Sequence, residues 1–224
     1  CFYKKNMGSL NKLTILDHAP PPKIRRLQVR STEMRRRLCE AALDVLSEVG
    51  YERLSTPLIS TRAQVSRGAQ THHFPTKADI LVGAFEHLLK QWEAKRTEFL
   101  AHHPPPVPLD SYLRHIWHDV FAQPRYIAAL ELMLAARADE ALRERLQAVL
   151  AEWTEKRDGI WSHLIDFQTT NQTTSEFFHL NLCMFRGMAV HASFNKDDTI
   201  NDALLEAWIK IAKQLTQAPG DPGL

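Results

Sequence analysis

From Ser31 onward the apolar residues of this chain fall at helical spacing almost without interruption, and no run alternates as a β-strand does. Leu38, Ala41, Ala42, Val45, Leu46 and Val49 make one stripe, and Gly50 supplies its stop. Ser55 is placed to cap a short helix running to Ala63, with Pro57 tolerated in its first turn. Ser66 caps a second short helix to about His73, and Pro75 ends it. Thr76 and Asp79 read as a capping box that opens a long helix carrying Ile80, Leu81, Ala84, Phe85, Leu88, Leu89 and Trp92.

The pattern stays helical to the end. Pro104, Pro105, Pro106 and Pro108 break the chain before a helix from about Asp110 to Phe121. Pro124 begins another that reaches roughly Arg137, and a longer segment runs from Asp139 to Phe167. The polar stretch 168–173 reads as a loop, with Thr173 and Glu176 as a second capping box. Two last helices span about 174–192 and 199–217. The expected fold is all-α with about nine helices.

Residues 1–30 show no sustained period and are expected to form a flexible arm, with 218–224 a flexible tail. No apolar core follows Lys4 and Lys5, so the start is not read as a signal peptide. No stretch approaches the roughly 18 consecutive apolar residues of a membrane span, so no membrane partner is expected. Cys1, Cys39 and Cys183 are odd in number and far apart, which argues against a disulfide framework or zinc cluster and for reduced thiols in a cytoplasmic protein. The net charge of +2 conceals a segregation: residues 23–77 carry +6 and residues 78–224 carry −6. A basic N-terminal third suggests that one end meets a polyanion.

Two short helices joined at Gln64-Val65 and braced by longer ones read as a helix-turn-helix, over residues 31–80. The second would present Arg67, Ala69, Gln70 and Thr71 to a groove, with Gly68 permitting close backbone approach. Glutamine can pair bidentately with adenine and arginine with guanine. Ser55, Thr56, Ser66 and Lys77 are placed to hold phosphates and set register. Residues 31–92 resemble the DNA-binding domain of the tetracycline-repressor (TetR/AcrR) family. The likeness rests on the helix from Thr32 to Gly50, on Val65-Ser66-x-Gly68, and on His73-Phe74-Pro75-Thr76-Lys77-x-x-Ile80. It implies that His73 supports DNA contact at the end of the recognition helix. The family usually has glycine where this chain has Gln64, and tyrosine at one or both of the positions of Thr71 and His72. Adjacent His72 and His73 point about 100° apart on a helix, so they do not form a metal pair.

Residues 81–217 are expected to form a ligand-binding and dimerisation domain. The 174–192 helix is apolar nearly all round and must be buried on every side. Phe185 and Met188 on it, with Leu205, Trp208, Ile209 and Ala212 on the last helix, are expected at a four-helix dimer interface, which is also how the family dimerises. The resemblance further implies an effector pocket among the middle helices. Candidates for a small apolar or amphipathic ligand are Trp117, Met133, Arg137, His163, Phe167, Phe178, Met184 and Arg186. His115 and His118 lack a third ligand, and neither a metal nor a cofactor is expected. The expected function is a homodimeric regulator that reads double-stranded operator DNA, in such families usually a repressor released by an effector. Its alternatives are a DNA-binding regulator without effector and, more remotely, an all-α enzyme, for which no nucleophile–base set is visible.

Overall fold

A computed structural model describes the backbone of residues 22–164, 171–195 and 197–216, and the side chains of 27–155, 176–195, 197 and 199–216. In chain order the α-helices are α1 (Pro22–Arg53), α2 (Thr56–Ala63), α3 (Arg67–His73), α4 (Lys77–His102), α5 (Leu109–Ile116), α6 (Pro124–Ala135), α7 (Glu140–Leu164), α8 (Asn171–Phe194) and α9 (Asp198–Thr216). A π-helical turn, Trp117–Phe121, joins α5 to the segment before α6. No strand occurs among the described residues, and the fold is all-α.

The caps form where local chemistry puts them. The Ser55 hydroxyl accepts from the Leu58 N–H at 3.4 Å, and the Ser66 hydroxyl from the Ala69 N–H at 3.2 Å. Thr76 and Asp79 make a reciprocal capping box, with the Thr76 N–H donating to Asp79 at 2.9 Å and the Asp79 N–H to Thr76 at 3.1 Å. Gln64 ends α2 at φ 53°, ψ 48°, a left-handed conformation that glycine would adopt more readily.

Two expectations are corrected. First, α1 begins at Pro22, so residues 22–30 are helical and not arm; residues 1–21 and the proposed tail lie outside the described residues. Gly50 does interrupt the helix as expected: its backbone is non-helical at φ 76°, ψ 171°, and a short helical stretch to Arg53 follows the kink. Second, α8 starts at Asn171, so 171–173 are helix and not loop, while the capping pair expected at Thr173 lies outside the described side chains. The single helix expected over 110–121 is also interrupted, since the Ala122 N–H bonds the Trp117 carbonyl at 2.8 Å. This wider turn lets Trp117 and Phe121 both bury.

One continuous core joins the parts. Leu38, Ala42, Val45 and Leu46 of α1 are buried against α2, α4 and α6. Fully burying a leucine-sized side chain contributes about 1.5–3 kcal/mol. Phe74, just past α3, packs into the same core, and Gly83 of α4 makes room: a Cβ there would lie 2.7 Å from the Phe74 ring. Residue 80, the expected domain boundary, falls inside α4, which runs from the short helices into the larger unit. Beyond it, α8 and α9 pack on each other, and α9 also packs on α5.

Candidate nucleic-acid interface and ligand cavity

α3 is seven residues long and rests on α1 and α2. Its exposed face is Arg67, Gly68, Thr71 and His72, at helical spacing, with Ala69 and His73 half-buried. A Cβ on Gly68 would meet nothing within 4 Å, so the backbone there is open to an approaching surface. The Thr71 hydroxyl donates back to the Arg67 carbonyl at 3.0 Å.

Gln70 does not belong to that face. It is 3% exposed; its Nε2 donates to the Phe74 carbonyl at 2.8 Å, and its Oε1 accepts from Ser60 at 3.4 Å. Its expected base contact is corrected, because the amide is committed to joining α3 to α2 and to the turn behind it. Lys77 also differs from expectation. Its Nζ donates to the Tyr51 carbonyl at 3.3 Å and lies 4.3 Å from the Tyr51 ring centroid, an arrangement that caps the end of α1.

The basic surface is partly committed in the same way. Arg36 pairs with Glu33 and Arg62 with Glu48, each at 2.6 Å. Arg37 donates to the Ala63 and Gln64 carbonyls, tying α1 to the end of α2. Arg35 donates to the His73 carbonyl at 3.0 Å and stacks over Phe74. Burial, then the neighbouring His72 and Arg35, push His73 below the usual histidine value. It is therefore uncharged at neutral pH. Ser55 and Ser66 are exposed at their caps and Thr56 is half-buried.

A cavity of about 230 Å³ lies between α4, α5, the π turn, α6, α7 and α8. Its apolar wall includes Phe85, Trp92, Tyr112, Phe121, Tyr126 and Trp153, and its polar groups include Arg96, His115, Thr154 and Arg186. Of the residues expected there, Met133 and Arg186 line it. Trp117 is instead packed against Phe185, Arg137 is exposed after α6, Phe178 lies beside Phe177, and Met184 faces outward at 41% exposure. His163 and Phe167 lie outside the described side chains. Sequence reasoning missed Trp92, Arg96, Tyr126 and Trp153, because each sits on a helical stripe that reads as core. A larger groove of about 710 Å³ runs beside α1, α4 and α6, but its charges are paired: Arg125 with Asp44 at 2.7 Å and Lys95 with Asp119 at 3.4 Å.

His115 and His118 diverge, the first buried and the second exposed, and no group of three or more potential metal ligands occurs among the described residues. The expected dimer-interface residues are also corrected. Phe185, Met188, Leu205, Trp208, Ile209 and Ala212 are 0–6% exposed within the single chain, and the Trp208 indole donates to Asn181 at 2.7 Å. They hold α8 to α9. The opposite face of the pair carries Leu180, Met184, Val190 and Phe194 on α8 and Ile200, Leu204, Ile211 and Leu215 on α9, all 40–74% exposed.

An all-α chain with a capped helix-turn-helix at one end defines a DNA-binding regulator. The comparisons agree. A family model described as "Bacterial regulatory proteins, tetR family" matches residues 38–84. The HTH-type transcriptional regulator CymR of Pseudomonas putida is 29% identical over 194 residues, 86% of this chain and 96% of that protein. An uncharacterized HTH-type transcriptional regulator of Mycobacterium tuberculosis is 39% identical over 130 residues, 58% of this chain and 66% of that one. Among solved structures, a transcriptional regulator from Rhodococcus superposes with a TM-score of 0.63 at 22% identity, covering 83% of this chain and 99% of that one. The multidrug binding protein EbrR complexed with ethidium superposes at 0.59 and 24% identity, covering 82% and 98%. Residues 38–84 thus carry the DNA-binding domain of the TetR family, and the chain is similar over most of its length to transcriptional regulators.

Proposed function

We propose that the protein acts as a homodimer that reads operator DNA with the exposed face of α3 and leaves it when a small molecule enters the α4–α8 cavity. The carrying observation is the position of α4. Its N-terminal capping box follows α3 across three residues, and further along the same helix Phe85, Trp92 and Arg96 line the cavity. A ligand that shifts α4 therefore shifts the seat of α3. Arg67, Thr71 and His72 are the side chains placed to meet the groove, with Ser55, Thr56, Ser66 and His73 at its edges. The complex of the multidrug binding protein EbrR with ethidium supports a ligand role for such a cavity.

The second chain is assigned to the exposed apolar face of α8 and α9. Contiguous apolar surface of that kind marks an interaction site, and a two-fold dimer matches the symmetry of paired half-sites. The test is fluorescence anisotropy on DNA flanking the protein's own gene, with small molecules added. Binding as one chain per site, or binding that no compound in a broad set weakens, would contradict the proposal.

A further inference from the structure

We infer that the cavity between α4 and α8 takes a small aromatic monocarboxylate, whose anion is received by Arg96 and Arg186. The inference rests on reading this cavity as the effector site, and it adds the chemical class of the occupant.

Arg96 carries the argument. It is 8% exposed, and among the described residues its one partner is Glu93, at 3.6 Å, beyond hydrogen-bonding distance. A guanidinium offers five N–H donors in a planar fork. Burying it with none of them bonded is costly unless something in the space it faces accepts them. That space is the cavity, which Arg96 lines. Arg186, on α8, donates Nε to the Tyr126 hydroxyl at 3.2 Å and, among the described residues, has no bond from its other two nitrogens.

The charge around these two groups is one-sided. No aspartate or glutamate lines the cavity among the described residues. Asp119 approaches from behind, where it binds His115 Nδ1 at 2.9 Å and Lys95. Burial holds His115 below its usual value against the pull of Asp119, so it adds no charge at neutral pH. The described lining thus carries two guanidinium charges beside the imidazoles of His115 and His179, with Glu93 loosely offsetting one. That balance suits a monoanion and rejects a cation.

Size and lining define the rest of the ligand. About 230 Å³ lies below the roughly 300–1,000 Å³ of drug-sized sites. Trp92 and Tyr126 are tilted at 5.6 Å and Trp92 and Trp153 meet edge-on at 6.2 Å, presenting ring faces and edges that match a flat apolar body. Carboxylate and guanidinium pair as two parallel hydrogen bonds, which orients such a body in the slot. The class contrasts with ethidium, the compound named with EbrR.

The test is calorimetry on the intact protein with three isosteric probes: trans-cinnamate, cinnamamide and cinnamylammonium. Cinnamate is expected to bind roughly tenfold or more tighter than the amide, and the cation not at all. In Arg96→Gln, cinnamate is expected to lose affinity by several-fold more than the amide does, which narrows the gap between them while Arg186 keeps part of it. The wild-type ranking stands as a test even if that variant does not fold. Equal binding of acid and amide, or preference for the cation, overturns the anion class and leaves the effector cavity standing. Failure of all three at millimolar concentration overturns both.

Discussion

The side-chain amide of Gln70 donates to the carbonyl of Phe74 at 2.8 Å, from a position 3% exposed to solvent. This bond closes the C-terminal end of α3 from inside and holds the turn that buries Phe74. Gln70→Ala is therefore expected to lower stability by about 1–3 kcal/mol by orphaning that carbonyl and the Ser60 hydroxyl. Sequence preference among single-base operator variants should stay as in the wild type. A variant of unchanged melting temperature and relaxed preference would return Gln70 to the reading face.

Gly68 gives the opposite pattern. Alanine is favoured over glycine within a helix by roughly 0.5–1 kcal/mol, and a Cβ at this position meets nothing in the free protein. Gly68→Ala should melt at the same temperature or higher and bind DNA more weakly, because the added methyl stands between the α3 backbone and the groove. Gly68→Val should exaggerate the loss. Undiminished affinity in both would mean that this end of α3 does not approach DNA closely.

The two sides of α8 and α9 separate by mutation. Met184→Glu and Leu204→Glu place charges on the exposed face, where an unpaired subunit tolerates them and a dimer interface does not. Each should sediment as a folded monomer. Trp208→Phe instead removes the bond to buried Asn181 and should cost about 1–3 kcal/mol with the oligomeric state unchanged. A Met184→Glu, Leu204→Glu double variant that remains dimeric would place the interface elsewhere.

Acid should loosen the junction between α3 and α4. The hydroxyl and N–H of Thr76 donate to Asp79, and Arg145 pairs with it at 2.9 Å, which together hold its carboxyl below the usual aspartate value. A carboxyl depressed by folding stabilises the fold above its unfolded value near pH 4, and that contribution is lost as pH falls through the folded value. Asp79→Asn should thus melt below the wild type at neutral pH, and the gap should close as pH drops. A gap that persists unchanged at pH 2 would assign the effect to packing.

The caps of α2, α3 and α4 were legible in the sequence because capping is decided within four residues: Ser55, Ser66 and Thr76 each bond an N–H three positions on. The orientation of Gln70 was not. A helix of seven residues with no large apolar side chain has no stripe from which an inward face can be read. Met133 was placed and Trp92 missed for a related reason, since a helical apolar period looks the same whether its partners fill the space or line a void. On α8 both faces are apolar, so periodicity signalled two neighbours without assigning Phe185 to the intrachain side and Met184 to the outside.

Besides α4 itself, a contact at Glu131 is able to carry the signal between the cavity and α3. The N–H of Tyr51, freed by the Gly50 kink, donates to Glu131 of α6 at 2.8 Å, and a Cβ on Gly50 would lie 3.0 Å from the same carboxylate. Two turns or less from Glu131, Tyr126 and Met133 line the cavity, so α6 joins a cavity wall to the end of α1. Beyond the kink, the Tyr51 carbonyl and ring hold Lys77 at the start of α4. Glu131→Ala should cost roughly 1.5–3 kcal/mol, the scale of a hydrogen bond to a charged group, and should separate ligand binding from DNA release. Because coupling between two sites is reciprocal, saturating ligand should then weaken DNA binding less than in the wild type, and saturating DNA should weaken ligand binding less by the same factor. Glu131→Gln keeps an acceptor for the Tyr51 N–H and should restore most of the coupling. Wild-type coupling in Glu131→Ala would route the signal through α4 alone.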